Sequence, residues 1–169
     1  MPPASTIAVL VNPANVAQTA TERATVQDAA RALGARVVIL NASSPSEIET
    51  VFEVLIRQRV GALVVSGEIF FLNQRDRLVE LAARHAVPTI YAYREFPVAG
   101  GLMSYGADFA EPYRLVGVYA GRILKREKPA NLPVQQATKV ELVINLKTAK
   151  ALGLNIPNTL IGRADQVIE

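Results

Sequence analysis

The residues best equipped for chemistry in this chain gather in one stretch, 91–108, YAYREFPVAGGLMSYGAD. There Tyr91, Tyr93, Arg94, Glu95, Tyr105 and Asp108 surround the Gly100–Gly101 pair. Read for catalysis, the stretch falls short. Gly101-Leu102-Met103-Ser104-Tyr105-Gly106 approaches a nucleophile elbow, yet it has one residue too many before the serine. The single histidine, His85, ends an amphipathic helical pattern, where it suits the helix dipole better than general-base work. The glycines do not follow the first apolar run at the spacing of a phosphate loop or a dinucleotide fingerprint, and metal-ligand spacing is absent. Without cysteine, thiolate chemistry and disulfides are excluded. The expectation is a protein that binds rather than reacts, with no enzyme activity, no cofactor and no metal. For the stretch itself two readings stand: an ordinary loop with a glycine turn, or the ligand edge of an α/β sheet.

The elements leading into it make the second reading concrete. An apolar run at 7–11 ends in Asn12-Pro13-Ala14-Asn15, as a buried strand and a turn do. A helix follows to Leu33, with Val26, Ala29, Ala30 and Leu33 on one face and Gly34 as its stop. Residues 37–40 give a second strand. Ser44-Pro45-Ser46-Glu47 is a capping box with proline at the first helical position, and Ile48, Val51, Phe52, Leu55 and Ile56 keep helical spacing behind it. Residues 62–65 make a third strand. Asn73 is placed to cap a helix carrying Leu78, Leu81 and Ala82, and a fourth strand covers 89–93.

Strands this uniformly apolar, separated by helices, predict an α/β fold: a three-layer αβα open parallel sheet in the order 2-1-3-4-5. Right-handed crossovers put every carboxyl end on one edge. Asn12, Asn15, Asn41, Ser43, Ser66, Glu68, Tyr91 and Arg94 are expected to share that edge.

Beyond the stretch the order is less regular. A short strand is expected at 102–105, then a helix opened by an Asp108–Glu111 capping box and reaching about Lys125. Val116, Tyr119, Ala120 and Ile123 form its apolar stripe. Residues 140–144 alternate as a strand, Asn145 can cap a short helix that Gly153 ends, and the tail is weakly helical. The 169 residues suffice for a sizeable core. A net charge of +3 with scattered basic residues and few aromatics argues against a nucleic-acid surface. No apolar run has the length of a membrane span, and the opening MPPAST has no signal-peptide regions, so as written the polypeptide is expected not to be exported.

Four ordered segments carry a resemblance: IAVLVNPAN, RDRLVELAARHAVPTIYAYREF, AGGLMSYGADFAEPYRLVGVYAGRILK and KVELVINLKTAKALGLNIP. Together they resemble the solute-binding proteins of an ABC-transporter family. These are exported, two-lobed periplasmic proteins of the type I periplasmic binding fold that close on a small solute and hand it to a membrane permease. The chain is similar to the second half of such a protein. The resemblance implies a solute-binding lobe over 1–101, a crossing segment and helix over 102–138 that belong with the other lobe, and a return strand with C-terminal helices over 139–169. Where family members often have Asp-Pro after the third strand, this chain has Glu68-Ile69.

Some members of the wider family take aromatic amino acids, so a small amino-acid-like solute is the implied partner. Such a zwitterion needs donors for its carboxylate, an acceptor for its ammonium and an apolar wall. Asn12, Asn15 and Ser66 are candidates for polar contacts, Glu68 for the counter-charge and Phe70 or Tyr91 for the wall, with Asn41, Arg94 and Tyr105 completing the set. Each has a plainer reading. Asn12 and Asn15 flank Pro13 and fit a turn and a cap, Phe70 or Phe71 fits the core, and Arg94 can pair with Glu95. A regulator's cytoplasmic ligand-sensing domain and a small flavodoxin-like enzyme are the alternatives. Without a first lobe to cover it, the 108–128 helix is expected to face water and to favour a homodimer.

Overall fold

The computed structural model describes residues 6–135 and 139–169, apart from the Glu111 side chain. Strand β1 (Thr6–Val11) leads through a tight turn into helix α1 (Val16–Leu33), which returns the chain to β2 (Arg36–Asn41). Asn15 opens α1 by accepting the Gln18 N–H at 3.3 Å. Gly34 closes it at φ 61°, a left-handed conformation that glycine adopts without strain.

Helix α2 (Pro45–Arg57) begins as expected at Ser44, whose hydroxyl accepts the Glu47 N–H at 3.3 Å. The returning carboxylate lands one residue further upstream than a capping box requires, taking the Ser43 N–H at 2.7 Å and the Ser43 hydroxyl at 3.0 Å. Those donors hold the Glu47 carboxyl below its ordinary pKa.

β3 (Ala62–Val65) is followed by two helices rather than one, α3 (Ile69–Asn73) and α4 (Arg75–Arg84). Asn73 is therefore the last residue of α3, not the cap of α4, and Gln74 stands at the junction. β4 (Thr89–Tyr91) stops two residues short of expectation, because the chain turns into α5 (Glu95–Val98). β5 (Met103–Ala107) then leads to α6 (Ala110–Leu124). Asp108 accepts the Ala110 N–H at 2.9 Å, while the Glu111 half of the expected box lies outside the described residues. β6 (Val140–Asn145) runs into α7 (Leu146–Ala151), which Asn145 caps through the Thr148 N–H at 3.0 Å. The tail is helical only in α8 (Asn158–Ile161) and ends in a strand, β7 (Gln166–Ile168).

The strands form one seven-stranded sheet in the order β2-β1-β3-β4-β5-β6-β7. The first five pair in parallel, as predicted; β6 runs antiparallel to β5, and β7 parallel to β6. The alternation of a strand sends successive side chains to opposite faces. Ala8, Leu10, Leu63, Val65 and Tyr91 share one core with Ile48, Phe52 and Leu55 of α2, Leu78 of α4 and Phe96 of α5.

The opposite face is thinly covered. Helix α1 buries only Thr19, and Leu33 of its expected apolar stripe is 78% exposed. Helix α6 packs less still: none of its described side chains is buried, and Val116 and Leu124 are 66% and 85% exposed.

Candidate functional site

Five strand ends converge at the carboxyl edge, and the antiparallel turn of β6 adds the start of that strand to them. The β1–α1 turn presents Asn12 and Asn15. Asn12 serves the turn: its Oδ1 accepts the Ala14 N–H at 3.1 Å and its carbonyl accepts the Thr19 hydroxyl at 2.6 Å. Asn15 has two tasks. While its oxygen caps α1, its Nδ2 donates to Glu68 Oε1 at 2.6 Å, joining the end of β1 to the end of β3. Asn41 sits apart, its Oδ1 accepting from the Arg23 guanidinium at 2.7 Å on an exposed surface.

Beside the Asn15–Glu68 pair opens a cavity of about 470 Å³ between α1 and the thinly covered sheet face. Its walls are mainly apolar, from Val9, Val26, Val64 and Ile90, with Tyr105 contributing a ring that is 60% exposed. On the lining, Ser66 Oγ and Glu22 Oε2 are buried and have no partner, and the Tyr91 hydroxyl is likewise buried without one. The other Glu22 oxygen accepts from Gln18 Nε2 at 2.9 Å. Tyr93 closes the neighbouring rim by donating its hydroxyl to the Gly67 carbonyl at 2.6 Å. Burial raises the Tyr93 pKa, and the charges of Glu68, Glu95 and Glu22 raise it further, so this part of the edge is electronegative.

Three candidate site residues have other tasks. Tyr91 is 2% exposed, and its ring stacks on Phe96 with centroids 4.2 Å apart. Its place in the strand's alternation directs it into the core rather than to the rim, and burial pushes its hydroxyl pKa up. Phe70 is half-buried, packed against the core with its ring centroid 5.2 Å from that of Phe71. Arg94 does not pair with Glu95. It grips both Glu141 oxygens at 3.0 and 3.2 Å and Gln166 Oε1 at 2.6 Å, tying the end of β4 to β6 and β7. Glu22 was absent from the sequence-derived set, although Asn15, Gln18 and Glu22 stand at helical spacing and share one face.

The family model for ABC transporter substrate binding proteins matches residues 1–168. The chain belongs to that family. Solved structures agree on the fold. A conserved domain protein from Vibrio cholerae O1 biovar eltor superposes with a TM-score of 0.83 at 22% identity, over 99% of this chain and 56% of that one. The ABC domain of Streptococcus pneumonia in complex with L-Trp gives 0.81 at 26% identity, over 97% and 56%. A ligand-free, open substrate binding protein with adhesive properties from Clostridium difficile gives 0.70 at 22%, over 99% and 55%. This substrate-binding family member thus spans little more than half the length of each. No curated protein matches it significantly. The family is one of binding proteins, not enzymes, and among the described residues no helix is long and apolar enough to cross a membrane.

Proposed function

We propose that this chain captures a small amino-acid-like solute at the carboxyl edge of its sheet, and that the complete protein presents the solute to a membrane permease from outside the cytoplasm. One observation carries the reading: Ser66 Oγ and Glu22 Oε2 are buried without partners on the wall of an apolar cavity. Buried polar atoms are normally satisfied, and a carboxylate oxygen left without a donor calls for one. An ammonium group supplies it. In this reading Glu22 and Glu68 face the ammonium, Asn15 and Ser66 orient the polar end, and Val64, Ile90 and Tyr105 wall the apolar body. Asn12, Asn41 and Arg94 hold the frame, while Phe70 and Tyr91 support it from the core. Helix α6, which follows β5, goes with the opposite lobe, whose closure would complete the enclosure, so the lobe alone binds weakly. The aromatic class is favoured by the L-Trp carried by the Streptococcus relative.

Calorimetry with L-tryptophan, tryptamine and indole-3-propionate tests it. The two amines bind and the acid does not. Glu68→Gln and Glu22→Gln each weaken the amines by roughly tenfold or more, as loss of a hydrogen bond to a charged group does. An amine that binds equally well to both variants overturns the assignment. Self-association through residues 108–128 belongs to the same proposal, since a two-fold dimer would cover Val116, Ala120 and Ile123. Sedimentation then shows a dimer for the wild type and a monomer for Val116→Glu. A monomeric wild type at high micromolar concentration refutes it.

A further inference from the structure

A second cavity, of about 250 Å³, opens at the same edge but between the end of β4 and the start of α6. Three aromatic rings line it: Tyr93, Phe109 and Tyr113. Phe109 and Tyr113 lie four residues apart at the helix start, so their rings share one face. Tyr93 meets them from the sheet, its ring centroid 5.9 Å from that of Phe109, and its hydroxyl is pinned to the Gly67 carbonyl.

The charged groups on the lining are not equivalent. The Arg94 guanidinium is consumed by Glu141 and Gln166. Asp108 is consumed by the Ala110 N–H and by Lys139 at 3.1 Å. The Glu95 carboxylate alone has no hydrogen bond or ion pair among the described residues, and its charge helps to raise the Tyr93 pKa. The cavity therefore offers ring faces and one uncompensated negative charge, with few free hydrogen-bonding atoms. A primary ammonium recovers hydrogen bonds there only from the Glu95 carboxylate, and its remaining N–H groups are left against ring carbons. A quaternary ammonium has no donors to satisfy, is weakly hydrated and is attracted by ring faces.

We propose that Tyr93, Phe109, Tyr113 and Glu95 form a binding site for a quaternary ammonium group. The site is separate from the cavity beside Glu22 and does not rest on the solute assigned to it. Because Phe109 and Tyr113 belong to α6 and Tyr93 to the sheet, an occupied box also draws the start of α6 toward the β4 end.

The test is a titration of the 169-residue protein with tetramethylammonium chloride, followed by amide and tyrosine-ring NMR shifts. Sodium chloride at matched ionic strength and tert-butanol as a neutral analogue serve as controls. The site predicts saturable shifts at Tyr93, Phe109 and Tyr113 with tetramethylammonium only, in the millimolar range. Tyr113→Leu keeps bulk without a ring face, and Tyr113 is 74% exposed, so the fold tolerates the change. It weakens binding by roughly three- to tenfold, and Glu95→Gln by roughly two- to fivefold. The proposal is overturned by shifts indistinguishable from those with sodium chloride, by equal binding of tert-butanol, or by Tyr113→Leu binding as the wild type does.

Discussion

Helices α2 and α6 carry the same kind of apolar stripe and end in opposite conditions. Helix α2 buries Ile48, Val51, Phe52 and Leu55, whereas α6 leaves Val116, Ile123 and Leu124 in water. Their connections account for the difference. The chain enters α2 from β2 and leaves it for β3, parallel strands of one sheet, and a crossover between parallel strands must lie across a sheet face. Around α6 the chain goes from β5 to β6, antiparallel neighbours that need no crossover. An apolar stripe states that a helix can bury a face; the strands on either side decide against what.

Identical substitutions in the two helices show the largest contrast. Leu55 is 1% exposed and Leu124 85%. Leu55→Ala costs about 2–5 kcal/mol, through lost burial and the cavity left behind. Leu124→Ala changes stability by no more than about 0.5 kcal/mol. Urea unfolding of both variants measures it. A Leu124→Ala cost near that of Leu55→Ala means α6 is covered in solution, and the contrast between the helices disappears.

Alanine at two glycines gives a smaller contrast with opposite signs. A Cβ on Gly106 in β5 would stand 1.9 Å from the Ala92 carbonyl oxygen, a backbone atom that cannot swing aside. Gly106→Ala therefore destabilises by about 1–3 kcal/mol, and it also shifts Ala92 on the cavity wall. A Cβ on Gly117, inside α6, meets nothing within 4 Å. Gly117→Ala stabilises the helix by about 0.5–1 kcal/mol by narrowing the unfolded ensemble. Thermal melts decide it, and a destabilising Gly117→Ala would reveal a neighbour close against that face.

What the sequence alone could reveal follows the same division. The first four parallel strands were legible as apolar runs, as at 7–11 and 62–65, although β3 is fully buried on one face only. The Ser44 cap was legible because its partners are three residues apart. β7 was not, since Gln166–Ile168 becomes a strand only by pairing with β6.

In the candidate site, Asn15, Ser66 and Glu68 could be picked out as polar residues just past apolar runs. Glu22 could not, because its interest comes from the gap α1 leaves above the sheet. Tyr91 was misplaced although parity with Leu63 and Val65 marks it as core. Arg94 was read as an edge contact or as a partner of the adjacent Glu95, while Glu141, which it grips, lies 47 residues away.

Acid offers the smallest and most selective test of the comparison. Two carboxylates anchor the two helices, and both titrate below their ordinary range. Glu47 is held down by the Ser43 N–H and hydroxyl, and Asp108 by the Ala110 N–H and then by Lys139. A carboxyl whose pKa is depressed in the folded state stabilises fully above its unfolded value. That contribution fades as pH falls through the folded value. Both should therefore support the protein at neutral pH and fail below about pH 4. Glu47 anchors a helix built into the core, so Glu47→Gln lowers global stability at pH 7 and flattens its decline in acid. Asp108 anchors a helix none of whose described side chains is buried, so Asp108→Asn leaves global unfolding nearly unchanged. Its effect appears instead as faster hydrogen exchange at Ala110 and the first turn of α6, at neutral pH. If Asp108→Asn shifts the urea midpoint as far as Glu47→Gln does, α6 unfolds together with the sheet and is part of one cooperative unit.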